Sequence, residues 1–422
     1  MFAYGIDFGT TNSAVTVRSG DGDVHILKID RDVSGVESST MRSVLYFEGS
    51  GVVHFGSDAM ERYSEELMPG RFLRSIKTLL PSQTFVSTQI FGKRYTIIDL
   101  IALILRHIKI KADELIGCEV DCAVLGRPVA FSADPNIDRM AEDRLLSAAL
   151  KAGFKNVVFQ PEPVAAGLAC AHSVASSSSQ QQTVLVGDFG GGTSDFSVVR
   201  YLPHGSDYRV LSTSGVYVGG DDFDSTIMWN KVAKYFGKDV KYRAADGDWM
   251  PFPSHISAKL KHWHLLPLLR EKSTRYDISN IAKVADSPKL VANLEKLIDN
   301  NLAFQLFQDV ERAKCRLSDV EKATISFSEL DLNIEEVITR KEFEDFAKDH
   351  VAKLEDSLES AIKAAGVSDS QIDQIFLTGG TSQIPMVRKI FESRFGSSRI
   401  IEKDAFTSVV YGLGLSTDIF FR

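Results

Sequence analysis

The sequence predicts an α/β protein of two similar lobes, each a mixed β-sheet with flanking helices, around a cleft. Three observations predict it. Val184–Arg200, VLVGDFGGGTSDFSVVR, places apolar β-formers on both sides of Gly190, Gly191 and Gly192, so it reads as two strands joined by a glycine turn. Gly5–Val17, GIDFGTTNSAVTV, repeats the pattern. With Asp7 set on Asp188, both segments carry Asp-Phe-Gly and a Thr/Gly-rich turn; Ser13 falls on Ser194 and Val17 on Val198. Such a duplication has a far longer period than a solenoid repeat. Finally, 422 residues suit two to three domains.

The hairpins suggest chemistry as well as fold. Glycines at a tip can aim successive backbone N–H groups at an anion. Asp188 enters the second turn and Asp195 leaves it. Carboxylates beside a phosphate make sense when a cation lies between them, and Mg²⁺ is the usual one. An ordinary glycine hairpin with solvated aspartates is the alternative for one copy; the second copy weakens it. Two phosphate-facing hairpins imply a nucleotide between two lobes.

Composition bounds the rest. Hydrophobic residues make up 44% and charged residues 25%, as in a globular protein with a sizeable core. A net charge of −8 argues against nucleic acid or an anionic membrane as the main partner. Cys118, Cys122, Cys170 and Cys315 are too few for a disulfide framework, and no second Cys/His pair completes a metal site with Cys118 and Cys122. The start shows no signal-peptide pattern, and Ile97–Leu105 is too short and charged to span a bilayer. A reducing cytoplasm is the expected location.

In chain order, Phe2–Val17 is the first hairpin and Val24–Ile29 a third strand. Ser43–Phe47 and Val52–Phe55 form another hairpin; Arg71–Leu80 follows with Lys77 inside it, and Phe91–Tyr95 reads as a strand. Ile97–Ile116 has a helical apolar stripe. Asp121–Leu125 is a strand, Ile137–Ala152 a helix closed by Gly153, and Val157–Phe159 a strand. Pro161-Glu162-Pro163 leads into a helix over Val164–His172, and the polar run Ser173–Gln182 reads as a loop and lobe boundary. Beyond the second hairpin come strand Tyr208–Thr213, the glycine-acid cluster Gly215–Asp224 and helix Asp224–Phe236. Residues 237–300 are barely legible; His262 and His264 there have no acidic partner at ligand spacing and read as packing or surface. Leu290–Leu317 is a helix or helix pair, and Thr324–Leu332 and Asn333–Val337 are strands. Thr339-x-x-Glu342 is a capping box opening a helix that ends at Gly366. Asp373–Leu377 is a strand running into Thr378-Gly379-Gly380-Thr381, a helix starts at Ile384, and Thr407–Ile419 is a small-residue helix.

No P-loop, G-x-G-x-x-G, H-E-x-x-H or G-x-S-x-G motif occurs, which leaves the two hairpins as the phosphate grip. Seven segments, IDFGTTNS, FLRSIKTLL, PEPVAAGLA, GDFGGGTSDFSVV, VGGDDFD, ERAKCRLS and LTGGTSQIP, spread over residues 6–385. In this order they resemble the actin/hexokinase/heat-shock ATPase superfamily, and within it the nucleotide-binding domain of DnaK-type heat-shock chaperones. The resemblance implies an actin-like ATPase fold in which each lobe holds a ribonuclease-H-like sheet. Lobe I is then 1–183 rejoined by the helix 404–422, and lobe II is 184–403 with a variable insert at 237–300.

It also implies roles by position, with ATP or ADP and Mg²⁺ as ligands. Gly9, Thr10, Thr11 and Asn12 fall on the first phosphate hairpin, and Gly190, Gly191, Gly192 and Thr193 on the second. Lys77 falls on the catalytic lysine, and Glu162 on the acid that orders Mg²⁺ waters. Asp7, Asp188 and Asp195 complete a metal shell acting mostly through water; Glu162, Asp188, Thr193 and Asp195 join Lys77 as the catalytic set. Gly219 and Gly220 fall near the phosphates. Glu311, Lys314 and Ser318 fall on adenosine contacts, and Gly379, Gly380, Thr381 and Gln383 on the adenine-side turn. The chemistry is coherent without the resemblance: transfer of a γ-phosphoryl group to water needs charge neutralised and water aligned.

Three departures stand out. Cys315 replaces one adenine-sandwiching arginine of the family, with Arg316 one place later, and Gln383 replaces the other. The chain stops at Arg422, soon after the matching region, like short chaperone-like proteins of the YegD type, so peptide binding in the DnaK manner is not expected. The leading expectation is an ATP-hydrolysing, chaperone-like switch with a protein client or co-chaperone. A small-molecule kinase, a filament-forming actin-like protein and a nucleotide-binding module without turnover are the alternatives.

Overall fold

The two glycine hairpins each seed a sheet, and the sheets share one topology in the computed structural model. It describes residues 2–19, 22–31, 36–65, 70–174, 181–201, 208–244, 246–300, 302–401 and 407–421. Strands β1 (Ala3–Phe8), β2 (Asn12–Arg18), β3 (Val24–Leu27), β4 (Cys122–Arg127) and β5 (Asn156–Pro161) lie in the order β5-β4-β1-β2-β3, with Met41–Arg42 also pairing with β2. Strands β6 (Gln182–Phe189), β7 (Ser194–Tyr201), β8 (Tyr208–Val216), β9 (Gln374–Thr378) and β10 (Ile400–Ile401) lie in the order β10-β9-β6-β7-β8. In both sheets the first hairpin strand pairs antiparallel with the second and parallel with a strand from later in the chain. The hairpin register is identical: Phe8 faces Ser13 and Asp7 faces Ala14, while Phe189 faces Ser194 and Asp188 faces Asp195.

Helices α1 (Ile97–Ile116) and α2 (Pro135–Ala152) cover the first sheet. Thr96 and Asp99 form a reciprocal capping box on α1, and Asp134 caps α2 with Pro135 in its first turn. Their apolar faces bury Ile101, Leu105, Ile108 and Leu145 against Tyr4, Ile6 and Phe8. Helix α3 (Glu162–Val174) packs with the C-terminal helix, and the two bury Ala165, Ala166 and Leu413 with Val124, Val184, Val186 and Phe376 from both sheets. Small residues make this packing close: a Cβ at Gly412 would run into the Ala165 carbonyl, and Thr16 Oγ1 donates 3.1 Å to the Val410 carbonyl.

The chain divides into two compact units. Met1–Tyr217, Leu354–Gln383 and Val387–Arg422 form one; Val218–Lys353 with Ile384–Met386 forms the other. This division groups both sheets together, whereas the lobe boundaries expected from sequence separate them. The expected boundary at 403/404 falls within 402–406, and most of the expected polar loop falls within 175–180; both stretches lie outside the described residues. The second unit holds α4 (Gly220–Ile227), α5 (Ala303–Asp319) packed on a hairpin of Lys322–Glu329 and Leu332–Thr339, and the first half of α6 (Arg340–Ala365). Helix α7 (Pro385–Phe395) and α8 (Ser408–Phe420), the C-terminal helix just described, complete the chain.

Several elements differ from the sequence reading. Phe91 is not mid-strand; it and Gly92 are the turn of a hairpin pairing Ser87–Ile90 with Lys93–Thr96. The helix expected over Asp224–Phe236 begins earlier, at Gly220, and passes through a π segment at Met228–Val232 into a 3₁₀ turn at Ala233–Phe236. The turn between the strands after α5 is Leu330-Asp331, both left-handed, not residues 332–333. Within 237–300 the chain forms a hairpin of Lys241–Arg243 and Trp249–Pro251 and helices Lys272–Val284 and Pro288–Asp299. Among the described residues no helix is long and apolar enough to cross a membrane.

The burial of Leu413 predicts a measurable dependence on α8. Leu413→Ala should lower unfolding free energy by about 2–5 kcal/mol in urea titration. A loss below about 1 kcal/mol would show that α8 is not part of the core.

Candidate functional site

The tips of the two hairpins meet in the first unit. The Gly190 amide donates to the Thr193 carbonyl at 2.9 Å and closes the second turn. The first is held from the side, where the Ser43 amide donates to the Thr11 carbonyl at 2.8 Å and the Ser13 and Ser43 hydroxyls lie 2.8 Å apart. A Cβ at Gly191 would collide with the Thr11 hydroxyl, which places the tips against each other. A Cβ at Gly9 would collide with the Asn12 carbonyl, so that turn also requires its glycine. Gly192 faces open space. Gly379, at φ +85°, packs on the Phe189 backbone beside the second hairpin, and Gly380, Thr381 and Gln383 continue this turn. Ser382 Oγ closes it by donating 2.7 Å to the Gly379 carbonyl.

Around the tips stand four carboxylates and one ammonium. Asp7 lies near the end of β1, Asp188 near the end of β6, and Asp195 near the start of β7. Glu162 is the first residue of α3, where the helix N-terminus favours a negative charge. Lys77 sits in a 3₁₀ turn, Ile76–Leu79, after a short strand Arg71–Leu73 and a left-handed Ser75. Its Nζ donates 2.7 Å to Glu162 Oε1, and both side chains are about nine-tenths covered. Thr193 Oγ1 donates 3.3 Å to Asp195 Oδ2.

Asp7, Asp188 and Asp195 keep some exposed surface, yet the protein mass around them desolvates their charges. Burial first, then the Glu162 carboxylate, push Asp7 up to about 7 and Asp195 up to about 6, with Lys77 pulling both down. Asp188 is raised for the same reasons, with Asp7 and Asp195 adding to the repulsion. Burial disfavours the Lys77 charge, but Glu162, Asp7 and Asp188 outweigh it and raise the ammonium above its ordinary value. One ammonium against four carboxylates leaves a site that favours protons or a cation. All donors are oxygen, which suits Mg²⁺. Among the described residues no three His, Cys, Asp or Glu side chains converge closely enough to ligate a metal directly.

Gly219, Gly220, Glu311, Lys314 and Ser318 belong to the second unit. Glu311, Lys314 and Ser318, spaced i, i+3, i+7, share one face of α5. Asp222 Oδ2 accepts 2.9 Å from the Gly219 amide at the start of α4. Lys314 Nζ lies 2.9 Å from Asp224 Oδ1 and donates 3.3 Å to the Gly220 carbonyl. Burial raises Asp224 to about 7 against the pull of Lys314, while Asp224 and Glu311 hold the Lys314 ammonium above its ordinary value. Cys315 and Arg316 are exposed on α5, and Gln383 is exposed in the first unit.

Sequence reasoning missed three residues here. Ser43 braces the first hairpin. Gly126 leaves room for both Leu413 and Glu162, since a Cβ there would lie 3.0 Å from Leu413 Cδ1 and 3.2 Å from Glu162 Cγ. Gly215 faces Asp195 across the β7–β8 ladder. A glycine inside a strand pattern is the available signal, because it marks close approach; Ser43 carries none.

A family model described as Hsp70 protein matches residues 56–248 and 276–420. The Chaperone protein DnaK of Thermotoga neapolitana is 29% identical over 397 residues, covering 94% of this chain and 55% of its own length. That of Thermosipho africanus is 28% identical over 402 residues, with the same coverage. The chain spans about half the length of the curated relatives it matches.

The raised carboxylates set a pH dependence with a definite sign. Folded Asp7 and Asp195 hold protons that the unfolded chain releases from its ordinary value of 3.8. Their contribution to stability is therefore full below about pH 4 and is lost as pH rises toward about 7. The melting temperature without metal or nucleotide should fall from about pH 5 to about pH 7.5, and Asp7→Asn with Asp195→Asn should flatten the fall. An unchanged slope in the double variant would remove these groups from the cause.

Proposed function

The chain belongs to the Hsp70 family, and from that membership we propose that it binds ATP with Mg²⁺ at the hairpin tips and hydrolyses it to ADP and phosphate. The observation that carries this reading is the Lys77–Glu162 pair set among Asp7, Asp188 and Asp195 beside two abutting glycine turns. The backbone amides of Gly9–Asn12 and Gly191–Thr193 hold the phosphates. Bound Mg²⁺ supplies charge neutralisation on the β- and γ-phosphates. Asp7, Glu162, Asp188 and Asp195 orient the ion's waters. Lys77 holds the attacking water and a γ-phosphate oxygen. Water adds to the γ-phosphorus, its bond to the bridging oxygen breaks, and ADP and phosphate leave.

On the same reading, Glu311, Lys314 and Ser318 take the adenosine, with Gly219 and Gly220 toward the phosphates and Gly379, Gly380, Thr381 and Gln383 on the adenine side. Two lobes close on the nucleotide and signal to a protein client or co-chaperone. Phosphate release tests this. It should require ATP and Mg²⁺, stop with chelator, and rise with unfolded protein. Release stimulated by a sugar, or none at all, would overturn the proposal.

Lys77→Ala should still fold and bind ATP, yet hydrolyse pre-bound ATP at least about a hundredfold more slowly in single turnover. A wild-type rate would remove Lys77 from the chemistry. A guanidinium stacked on a π-system contributes roughly 0.5–2 kcal/mol. Gln383→Arg should therefore tighten ATP binding by about twofold to thirtyfold in calorimetry. Unchanged affinity there, with a large loss in Arg316→Ala, would assign the stacking role to Arg316.

A further inference from the structure

We propose that Gly215 is a positioning residue for Asp195, holding the Asp195 carboxylate at the hairpin tips by leaving it space. The proposal rests on the reading of Asp195 as part of the phosphate-site carboxylate cluster. Asp195 and Gly215 are directly paired across the antiparallel β7–β8 ladder, so a side chain at 215 would project on the same face as Asp195. A Cβ built at Gly215 would lie 2.5 Å from Asp195 Oδ1 and 3.6 Å from its Cγ; the next nearest atom among the described residues outside 214–216 is the Ser194 carbonyl oxygen, at 4.0 Å. The carboxylate thus leans across the ladder onto the bare backbone of its partner strand.

Conformation does not explain the glycine. Gly215 is absent from the left-handed glycines, so its backbone is one that any residue adopts. Its surroundings do not explain it either, since the residue is exposed and the only close neighbour is the carboxylate. The missing methyl group has one consequence. Asp195 Oδ1 stays over residue 215 while Oδ2 accepts from Thr193 Oγ1 at 3.3 Å. With alanine at 215, Oδ1 must retreat by about 1 Å to reach ordinary van der Waals distance. A short side chain makes that move by rotating, which draws Oδ2 away from Thr193. The fold tolerates the change, because the clash involves a side-chain end and Gly→Ala at a compatible backbone reduces unfolded-state freedom.

Three variants test this: Gly215→Ala, Asp195→Ala and the double variant. Gly215→Ala should melt within about 4 °C of the parent. Its crystal structure should show the Asp195 carboxylate displaced and its hydrogen bond from Thr193 Oγ1 broken. Its single-turnover rate with pre-bound ATP and Mg²⁺ should fall to within about threefold of the Asp195→Ala rate, with ATP affinity changed less than about threefold. In the Asp195→Ala background, adding Gly215→Ala should cost no further rate. An Asp195 carboxylate unmoved in the variant, or additive losses in the double variant, would overturn the proposal. If Gly215→Ala fails to fold, a folded double variant upholds the clash with the carboxylate, and a double variant that also fails to fold overturns it. Should the parent show no turnover, the ATPase reading fails, while the position of Asp195 in the crystal structure still decides the role of Gly215.

Discussion

Four carboxylates held close to a single ammonium are the constraint on which the first unit depends. Like charges in a desolvated setting repel, and Asp7, Asp188 and Asp195 respond by holding protons well above the ordinary carboxylate range. Left to itself such a cluster would spread into solvent. Strong scaffolding prevents that: Asp7 and Asp188 lie near the ends of strands buried in the centres of their sheets, and Glu162 is fixed at the start of α3. Lys77 is pinned by the Glu162 carboxylate at 2.7 Å. The stability surrendered at the cluster is offset by the apolar packing of α3 and α8 among both sheets.

Duplication explains why two carboxylates enter the site from matching places. Identical hairpin register puts Asp7 and Asp188 at equivalent points of equivalent sheets. The copies then diverge. The partner of Asp188 is Asp195, whereas the partner of Asp7 is Ala14. The second hairpin carries its own extra carboxylate and needs Gly215 beside it. The first carries none there and draws Glu162 and Lys77 from segments outside the hairpin. One architecture thus supplies two different halves of a single charge arrangement.

Much of this was legible in the sequence because it is local. Glycine turns, β-branched strands and the capping box at Thr339 announce themselves within a few residues. The hairpins, most helices and the cluster's carboxylates follow from such signals and from the family likeness. Within 237–300 the short strands and 3₁₀ turns before Lys272 carry no sustained period, while the amphipathic helices Lys272–Val284 and Pro288–Asp299 do carry one that the sequence reading did not resolve. Ser43 and the Asp224–Lys314 pair were missed for another reason: their partners are distant in the chain, and nothing near Lys314 indicates a carboxylate 90 residues earlier.

The two charged clusters differ in how their charges are matched. In the second unit Asp224 and Lys314 are both buried, yet the ammonium meets the carboxylate at 2.9 Å and the Gly220 carbonyl takes another of its protons. That pair ties α4 to α5 and, by fixing which groups meet, specifies how the two helices register. At the hairpin tips the Lys77 ammonium bonds Glu162 and acts on Asp7, Asp188 and Asp195 through charge alone, and these three keep some exposed surface. Removing one partner of the Asp224–Lys314 pair would leave the other buried and unpaired, whereas on the proposed function the charge of bound Mg²⁺ balances the hairpin-tip carboxylates. On the proposed function the hairpin-tip carboxylates keep their charge available to the ion that accompanies a phosphate, because a carboxylate already neutralised by the protein has nothing left to offer it.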